Sequence, residues 1–112
     1  YDDYEYKADK LNRAVIVSEF GGYSCPIDGH KFCEKPFGYK KFGDADEFRA
    51  ALLLLYDGQI RPAVKRGLTA SVYTQLTDVE QEMNGLITYD RQVIKILPDV
   101  VERIIRIPPL RD

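Results

Sequence analysis

Two segments rich in β-branched residues flank a segment of helical periodicity, and this order restricts the fold more than any other feature. The first segment, residues 14–20, begins Ala-Val-Ile-Val and meets Gly21 and Gly22, a pattern typical of a buried strand that ends in a turn. The second covers residues 68–75. Two strands joined by a helical crossover lie parallel in one sheet with a right-handed connection. The order therefore predicts an α/β fold.

The segment between the strands carries the clearest helix signal. Asp44 is followed three residues later by Glu47, as in a capping box. Apolar residues then recur on one helical face: Phe48, Ala51, Leu52, Leu55 and Tyr56. Gly58 and Pro62 predict a kink or break at residues 59–61, and Gly67 is expected to cap the carboxyl end.

The other segments are predicted mainly from glycine and proline. Residues 1–13 are expected to form a loop or a short helical turn. Residues 23–43 predict a long loop, and loops of that length usually carry function, so substrate contacts are expected there. Residues 86–89 suggest a short extended piece. Pro98 suits the first position of a final helix, which Pro108 and Pro109 would end.

Charge and hydropathy exclude two classes of partner. The formal net charge is -2, with basic and acidic residues intermixed, so no basic stripe exists to bind nucleic acid. The longest strictly apolar run, residues 50–55, is far shorter than a membrane span. We therefore expect neither nucleic acid nor membrane as a partner, and the sequence assigns no compartment.

No metal or cofactor is predicted. Cys25 and Cys33 would permit a disulfide, and with His30 they offer three zinc ligands, but the chain has no further Cys or His to complete a tetrahedral site. We therefore expect two unpaired thiols in a loop. Asp78, Glu80 and Glu82 are spaced like the first ligands of a calcium loop, whose remaining pattern is missing. A solvated or loop-stabilising role is the favoured interpretation.

Position singles out four candidate site residues. Glu19 ends the first strand directly before two glycines, where barrel enzymes place catalytic groups, although an ordinary strand-end carboxylate has the same position. Tyr73 and Gln75 fall on one side of the second strand near its end, where they would contact a sugar hydroxyl or fill a barrel interior. His30, in the long loop, is either a surface residue or a substrate contact.

Several motifs together resemble a known enzyme family. They are Ser18-Glu19-Phe20-Gly21-Gly22-Tyr23, Gly29-His30, Phe37-Gly38-Tyr39 and, above all, the continuous stretch 67–91. These motifs look like the end of the catalytic barrel in glycoside hydrolase family 2, the β-galactosidase/β-glucuronidase group. The resemblance runs from about residue 14 to residue 95, most of the chain.

The resemblance implies the C-terminal fragment of a (β/α)8 TIM barrel rather than a complete domain. Strand seven would cover residues 14–20, helix seven residues 46–66 and strand eight residues 70–75, followed by the final helix. The family's nucleophile is a glutamate at the end of strand seven, which Glu19 matches. Its acid/base is a glutamate that follows an asparagine on an earlier strand, and this chain contains no Asn-Glu pair. The expected function is therefore part of a retaining, β-galactosidase-like glycosidase that is inactive alone.

The resemblance implies the expected partners, and two alternative functions stay open. The partners are a carbohydrate substrate, which His30, Tyr73 and Gln75 would contact, and the remainder of the enzyme chain. Tyr73 would replace the tryptophan that family members often carry by strand eight, since this chain has none. Two strands cannot form a parallel sheet covered on both faces, so the isolated chain is expected to self-associate. The alternatives are a noncatalytic carbohydrate-binding or barrel-derived module, and a phosphosugar enzyme or binder that uses Gly21 and Gly22.

Overall fold

The structure, a computed structural model, describes residues 11–34 and 40–106 and has a parallel two-stranded sheet at its centre. In chain order the elements are β1 (Val15–Gly21), β2 (Tyr23–Ser24), β3 (Lys40–Lys41), α1 (Ala45–Leu55), a π-helical segment (Tyr56–Ile60), α2 (Arg61–Arg66), β4 (Leu68–Thr74) and α3 (Pro98–Ile105). β1 pairs in parallel with β4, and β2 pairs in parallel with β3. The parallel pairing of the two predicted strands across a helical crossover confirms the α/β class.

Some predicted segments lie outside the described residues or are less regular than predicted. The loop or turn predicted at the start of the chain, the motif at residues 37–39 and the prolines after α3 lie wholly or largely outside the described residues. The extended piece expected at residues 86–89 is reduced to bridges, because Ile87 pairs singly with Thr77 and with Ile94. None of the helices within the described ranges has the length and apolar character needed to cross a bilayer.

The ends of the crossover helix follow the local sequence signals. The Asp44 carboxylate accepts a hydrogen bond from the Asp46 backbone N–H at 2.6 Å, which caps the amino end of α1. At the carboxyl end of α2, Gly67 adopts φ 120° and its N–H donates to the Val64 carbonyl at 3.0 Å. Glycine tolerates this left-handed conformation without the steric penalty of a side chain. The predicted caps at Asp44 and Gly67 are confirmed, with the Asp44 carboxylate bonded to Asp46 rather than to Glu47 as in a capping box.

At the predicted kink or break near residues 59–61 the structure has a π-helical segment, and the helix runs through it without a break. The N–H of Arg61 bonds to the carbonyl of Tyr56, five residues back. Pro62 has no N–H to donate to the carbonyl four residues before it, so an α-helix would lose a bond at this point. The wider turn takes the place of the expected break, and Pro62 then lies in the first turn of α2, where a missing donor matters little.

The helices cover one face of the main sheet and leave the other open. The core is formed by apolar residues from the sheet and all three helices: Val17, Phe20, Phe48, Leu52, Leu55, Ile60, Ala63, Leu68, Val100 and Ile104. Strand neighbours alternate between faces, so Ile16 and Val72 lie opposite this core. They are 57% and 56% exposed. The sheet thus has one packed face and one apolar face in solvent.

Candidate active site

Glu19 lies near the carboxyl end of β1, at the edge of the sheet where β4 also ends. The register between the strands is irregular after Val17, so that β1 carries one extra residue before Phe20 pairs with Tyr73. Such a bulge redirects side chains, and bulges are frequent beside active sites. Here it leaves both Ser18 and Glu19 exposed. The predicted nucleophile is therefore a solvent-accessible carboxylate at a parallel sheet's carboxyl edge.

The two glycines that follow serve the packing of the strands. Gly21 and Gly22 have φ values of 92° and 72°. A Cβ atom on Gly21 would lie 2.4 Å from Cε2 of Tyr73, so the close approach that this glycine permits is that of the tyrosine ring. The N–H of Gly22 donates to the Thr74 carbonyl at 2.9 Å. That donor is already used within the sheet, which weakens the phosphate-binding alternative.

Tyr73 packs between the sheet and the helices. Its ring centroid lies 5.4 Å from that of Phe20 at an interplanar angle of 81°, and 6.5 Å from that of Tyr56. Its hydroxyl is buried without a hydrogen-bond partner among the described residues. Burial, and then the nearby Tyr56 and Tyr23, raise the pKa of this phenol. The ring faces the helical layer, and its role as a sugar contact stays a prediction.

Gln75 braces the loop that follows β4. Its side-chain Nε2 donates to Oδ1 of Asn84 at 2.6 Å. Its backbone N–H donates to the Asn84 carbonyl, and its own carbonyl accepts from the N–H of Leu86. The side-chain amide N–H is thus engaged within the protein. A contact between Gln75 and substrate also stays a prediction.

A buried ion pair fixes the same loop. Nζ of Lys95 lies 2.7 Å from Oδ1 of Asp78, and both side chains are almost completely excluded from solvent. Lys95 also donates to the Met83 carbonyl at 3.0 Å, and the N–H of Gly85 donates to Asp78 at 2.8 Å. Burial raises the pKa of Asp78 and lowers that of Lys95, and their mutual contact opposes both shifts. The loop-stabilising interpretation of Asp78 is confirmed, with a partner that was not predicted.

The loop after β2 is joined to the loop after β4 by a backbone hydrogen bond of Cys25. The N–H of Cys25 donates to the Met83 carbonyl at 2.9 Å, and its buried side chain lies near Lys95 and Asp78. Burial raises the pKa of the Cys25 thiol. Cys25 and Cys33 form no disulfide. Within residues 11–34 and 40–106, no three His, Cys, Asp or Glu side chains are grouped closely enough to hold a metal ion.

His30 has a partner far away in sequence. Its Nδ1 lies 2.8 Å from Oδ2 of Asp90, sixty residues later. The pair joins the loop after β2 to the loop that precedes α3, so both loops that follow the main strands meet here. No hydrogen bond or ion pair joins Glu19, His30, Tyr73 and Gln75 to one another in the described part of the chain. His30, Tyr73 and Gln75 each contact a different protein neighbour, and Glu19 is exposed.

Sequence reasoning missed the contacts that Asp90 and Lys95 make. Lys95 had a usable signal, since a single lysine inside the apolar run 93–97 needs a buried partner. Asp90 lacked one, because its neighbours Thr88 and Gln92 indicate a local turn and nothing local points to a histidine sixty residues earlier.

Comparisons with known proteins add no relative: the chain matches no protein-family model and no curated protein.

Proposed function

We propose that this chain is the C-terminal part of the (β/α)8 catalytic barrel of a retaining glycoside hydrolase similar to β-galactosidases and β-glucuronidases, with Glu19 as its nucleophile. The observation that carries the proposal is the exposed Glu19 carboxylate at the carboxyl end of β1, beside the parallel end of β4. Barrel enzymes draw their catalytic groups from this edge.

The open face of the sheet supports the barrel part of the proposal. In a (β/α)8 barrel one face of each strand packs on helices and the other lines the closed interior. The two strands here are parallel, are connected through a helix and carry helices on one face only. Ile16 and Val72 on the uncovered face are bulky branched residues of the kind that fill barrel interiors.

The proposed reaction is a double displacement. The ionised Glu19 attacks the anomeric carbon while a second, protonated carboxyl group gives its proton to the leaving oxygen. Water then cleaves the glycosyl-enzyme ester with the second group acting as base, and the anomeric configuration is retained. The two carboxyl groups must be about 5–5.5 Å apart. In the proposal the second group belongs to the remainder of the enzyme, so the isolated chain should not turn over substrate.

Replacement of Glu19 in the complete enzyme tests the role. Glu19→Ala should lower kcat on an aryl β-galactoside by at least about a thousandfold, because the covalent step is lost. Added azide should restore turnover and give the α-glycosyl azide, since the small anion enters from the face that Glu19 occupied. Product configuration by NMR identifies the residue as nucleophile rather than acid/base.

The matched control is Glu102→Gln, an exposed glutamate on α3 that should leave kcat unchanged. A Glu19→Ala enzyme with normal kcat contradicts the assignment. An enzyme that binds β-galactosides without hydrolysing them, whatever residue stands at position 19, favours the noncatalytic carbohydrate-binding module instead.

A further inference from the structure

Two turns that are distant in sequence present His30 and Asp90 to each other. The first is closed by a hydrogen bond from the His30 N–H to the Ile27 carbonyl at 3.0 Å, with Gly29 at φ 80°. The second is closed by a hydrogen bond from the Arg91 N–H to the Thr88 carbonyl at 2.9 Å. Backbone hydrogen bonds thus fix the positions of His30 and Asp90 independently of the bond between their side chains.

The Asp90 carboxylate is held through both of its oxygens. Oδ1 accepts from the Thr88 hydroxyl at 2.7 Å and from the Gln92 N–H at 3.0 Å, and Oδ2 faces Nδ1 of His30. The Thr88 hydroxyl, followed by the Gln92 N–H and His30, lowers the pKa of Asp90 to about 2. The carboxylate is ionised at neutral pH and offers only acceptors.

This arrangement determines which nitrogen of His30 carries the proton. Because Oδ2 of Asp90 can only accept, Nδ1 of His30 must be the protonated donor. In the neutral imidazole Nε2 is then an acceptor, and its orientation is set by the carboxylate. The His30 side chain is 35% exposed, so this histidine is fixed in position yet accessible.

Two aromatic rings lie beside the pair. Phe32 follows His30 by two residues and Tyr89 precedes Asp90, and their ring centroids are 6.1 Å apart at an angle of 83°. Both remain exposed, at 52% and 39%. Exposed ring surface next to oriented hydrogen-bonding groups suits a sugar, which has apolar C–H faces and hydroxyls at its rim.

We propose that Asp90 is a positioning residue that holds His30 so that Nε2 accepts a hydrogen bond from a substrate hydroxyl, with Phe32 and Tyr89 contacting the same sugar unit. The ligand class is a β-linked sugar, and the inference rests on the proposed function above. The His30–Asp90 contact is therefore part of the substrate site and more than a clasp between loops.

Steady-state kinetics of the complete enzyme on an aryl β-galactoside provides the first test. Asp90→Ala should raise KM about tenfold, the effect of one lost hydrogen bond, and change kcat less than about twofold. Asp90→Asn should raise KM at least as much. Its amide oxygen must stay with Thr88 and Gln92, so its NH2 faces His30 and moves the imidazole proton to Nε2, which can then no longer accept from the substrate hydroxyl. Asp28→Asn is the control, since Asp28 lies in the same turn and contacts Lys31 rather than His30.

Nitrogen-15 NMR of His30 gives the second readout. At a pH where the imidazole is neutral, the wild-type spectrum should show a protonated Nδ1 and an unprotonated Nε2, with the two exchanged in Asp90→Asn. In an inactive Glu19→Gln enzyme, methyl β-galactoside should shift the Nε2 resonance.

An unchanged KM in Asp90→Ala, with or without a fall in thermal stability, would overturn the inference. The His30–Asp90 bond would then only hold the two loops together. If the wild-type enzyme hydrolyses no β-galactoside, the proposed function fails instead. The sugar-induced shift of Nε2 then decides the inference by itself, and its absence would overturn it.

Discussion

The contribution of Lys95 and Asp78 to the free energy of folding depends on both residues being present. Desolvation of two charges is expensive, and their attraction offsets that expense only while both are present and hydrogen-bonded. Here the Met83 carbonyl and the Gly85 N–H supply one further bond each, while Oδ2 of Asp78 is buried without a hydrogen-bond partner among the described residues. The pair is therefore sensitive to the loss of one member and far less sensitive to the loss of both charges.

A double-mutant cycle on this pair should show strong coupling. Lys95→Met should lower the free energy of unfolding by about 3–5 kcal/mol, because it leaves the Asp78 carboxylate buried without its cation. Adding Asp78→Asn should restore most of the loss, since the amide oxygen still accepts from Gly85. Urea denaturation of the four proteins measures the coupling.

The control for this cycle is Arg106→Met, which removes the exposed partner of Glu102 and should cost less than about 1 kcal/mol. Equal and additive losses from Lys95→Met and Asp78→Asn would contradict the coupled-pair interpretation.

For single residues, the sequence predicted the positions of the candidate site residues better than it predicted their contacts. Glu19 was placed at a strand end and is found exposed there. His30, Tyr73 and Gln75 were expected to reach a sugar, and each has a protein neighbour in Asp90, Phe20 or Asn84. Those neighbours come from other segments, and only the folded chain reveals them.

Secondary-structure elements that depend on a few adjacent residues form where the sequence predicts them. The two main strands, the Asp44 cap and the Gly67 cap were predicted because each depends on a few adjacent residues, whereas the two-residue strands β2 and β3 lie in the predicted loop 23–43. The π-helical segment was not predicted, since Gly58 and Pro62 predict a break and only packing decides whether the chain bends or widens its turn. Tyr56 and Ile60 of that segment are buried in the core, which keeps the helix continuous.

Substitution of the α1 cap tests the local origin of the helix. Asp44→Ala should destabilise the protein by about 1 kcal/mol, because the Asp46 N–H loses its acceptor. Asp44→Asn, which caps about as well, serves as the matched control and should stay within about 0.5 kcal/mol of wild type. Denaturant midpoints measure both changes, and equal destabilisation by the two variants would attribute the effect to the charge instead of the cap.

The whole molecule is defined by a sheet with a single covered face. The α/β class and the crossover were predictable from the order of elements, whereas the uncovered face could only be expected from the shortage of strands. Single exposed apolar residues are ordinary, but here Ile16 and Val72 lie on one face of paired strands. Such a face favours association with further protein surface.

The isolated 112-residue chain should therefore self-associate through this face. Ile16→Thr combined with Val72→Thr should shift the sedimentation profile toward monomer, since threonine keeps β propensity while reducing apolar area. Leu54→Gln is the control, because Leu54 is equally apolar and 72% exposed but lies on α1. A monodisperse wild-type monomer would count against both the open face and the proposed barrel.

The meeting of the two loops also has an evolutionary consequence. His30 and Asp90 hold each other, and Cys25 is bonded to the loop that contains Met83, so neither loop is free to change shape alone. Relatives of this chain should accordingly vary at positions 30 and 90 together. A lineage that replaces the histidine leaves the aspartate only its local bonds to Thr88 and Gln92, and the two loops should be inherited as one unit.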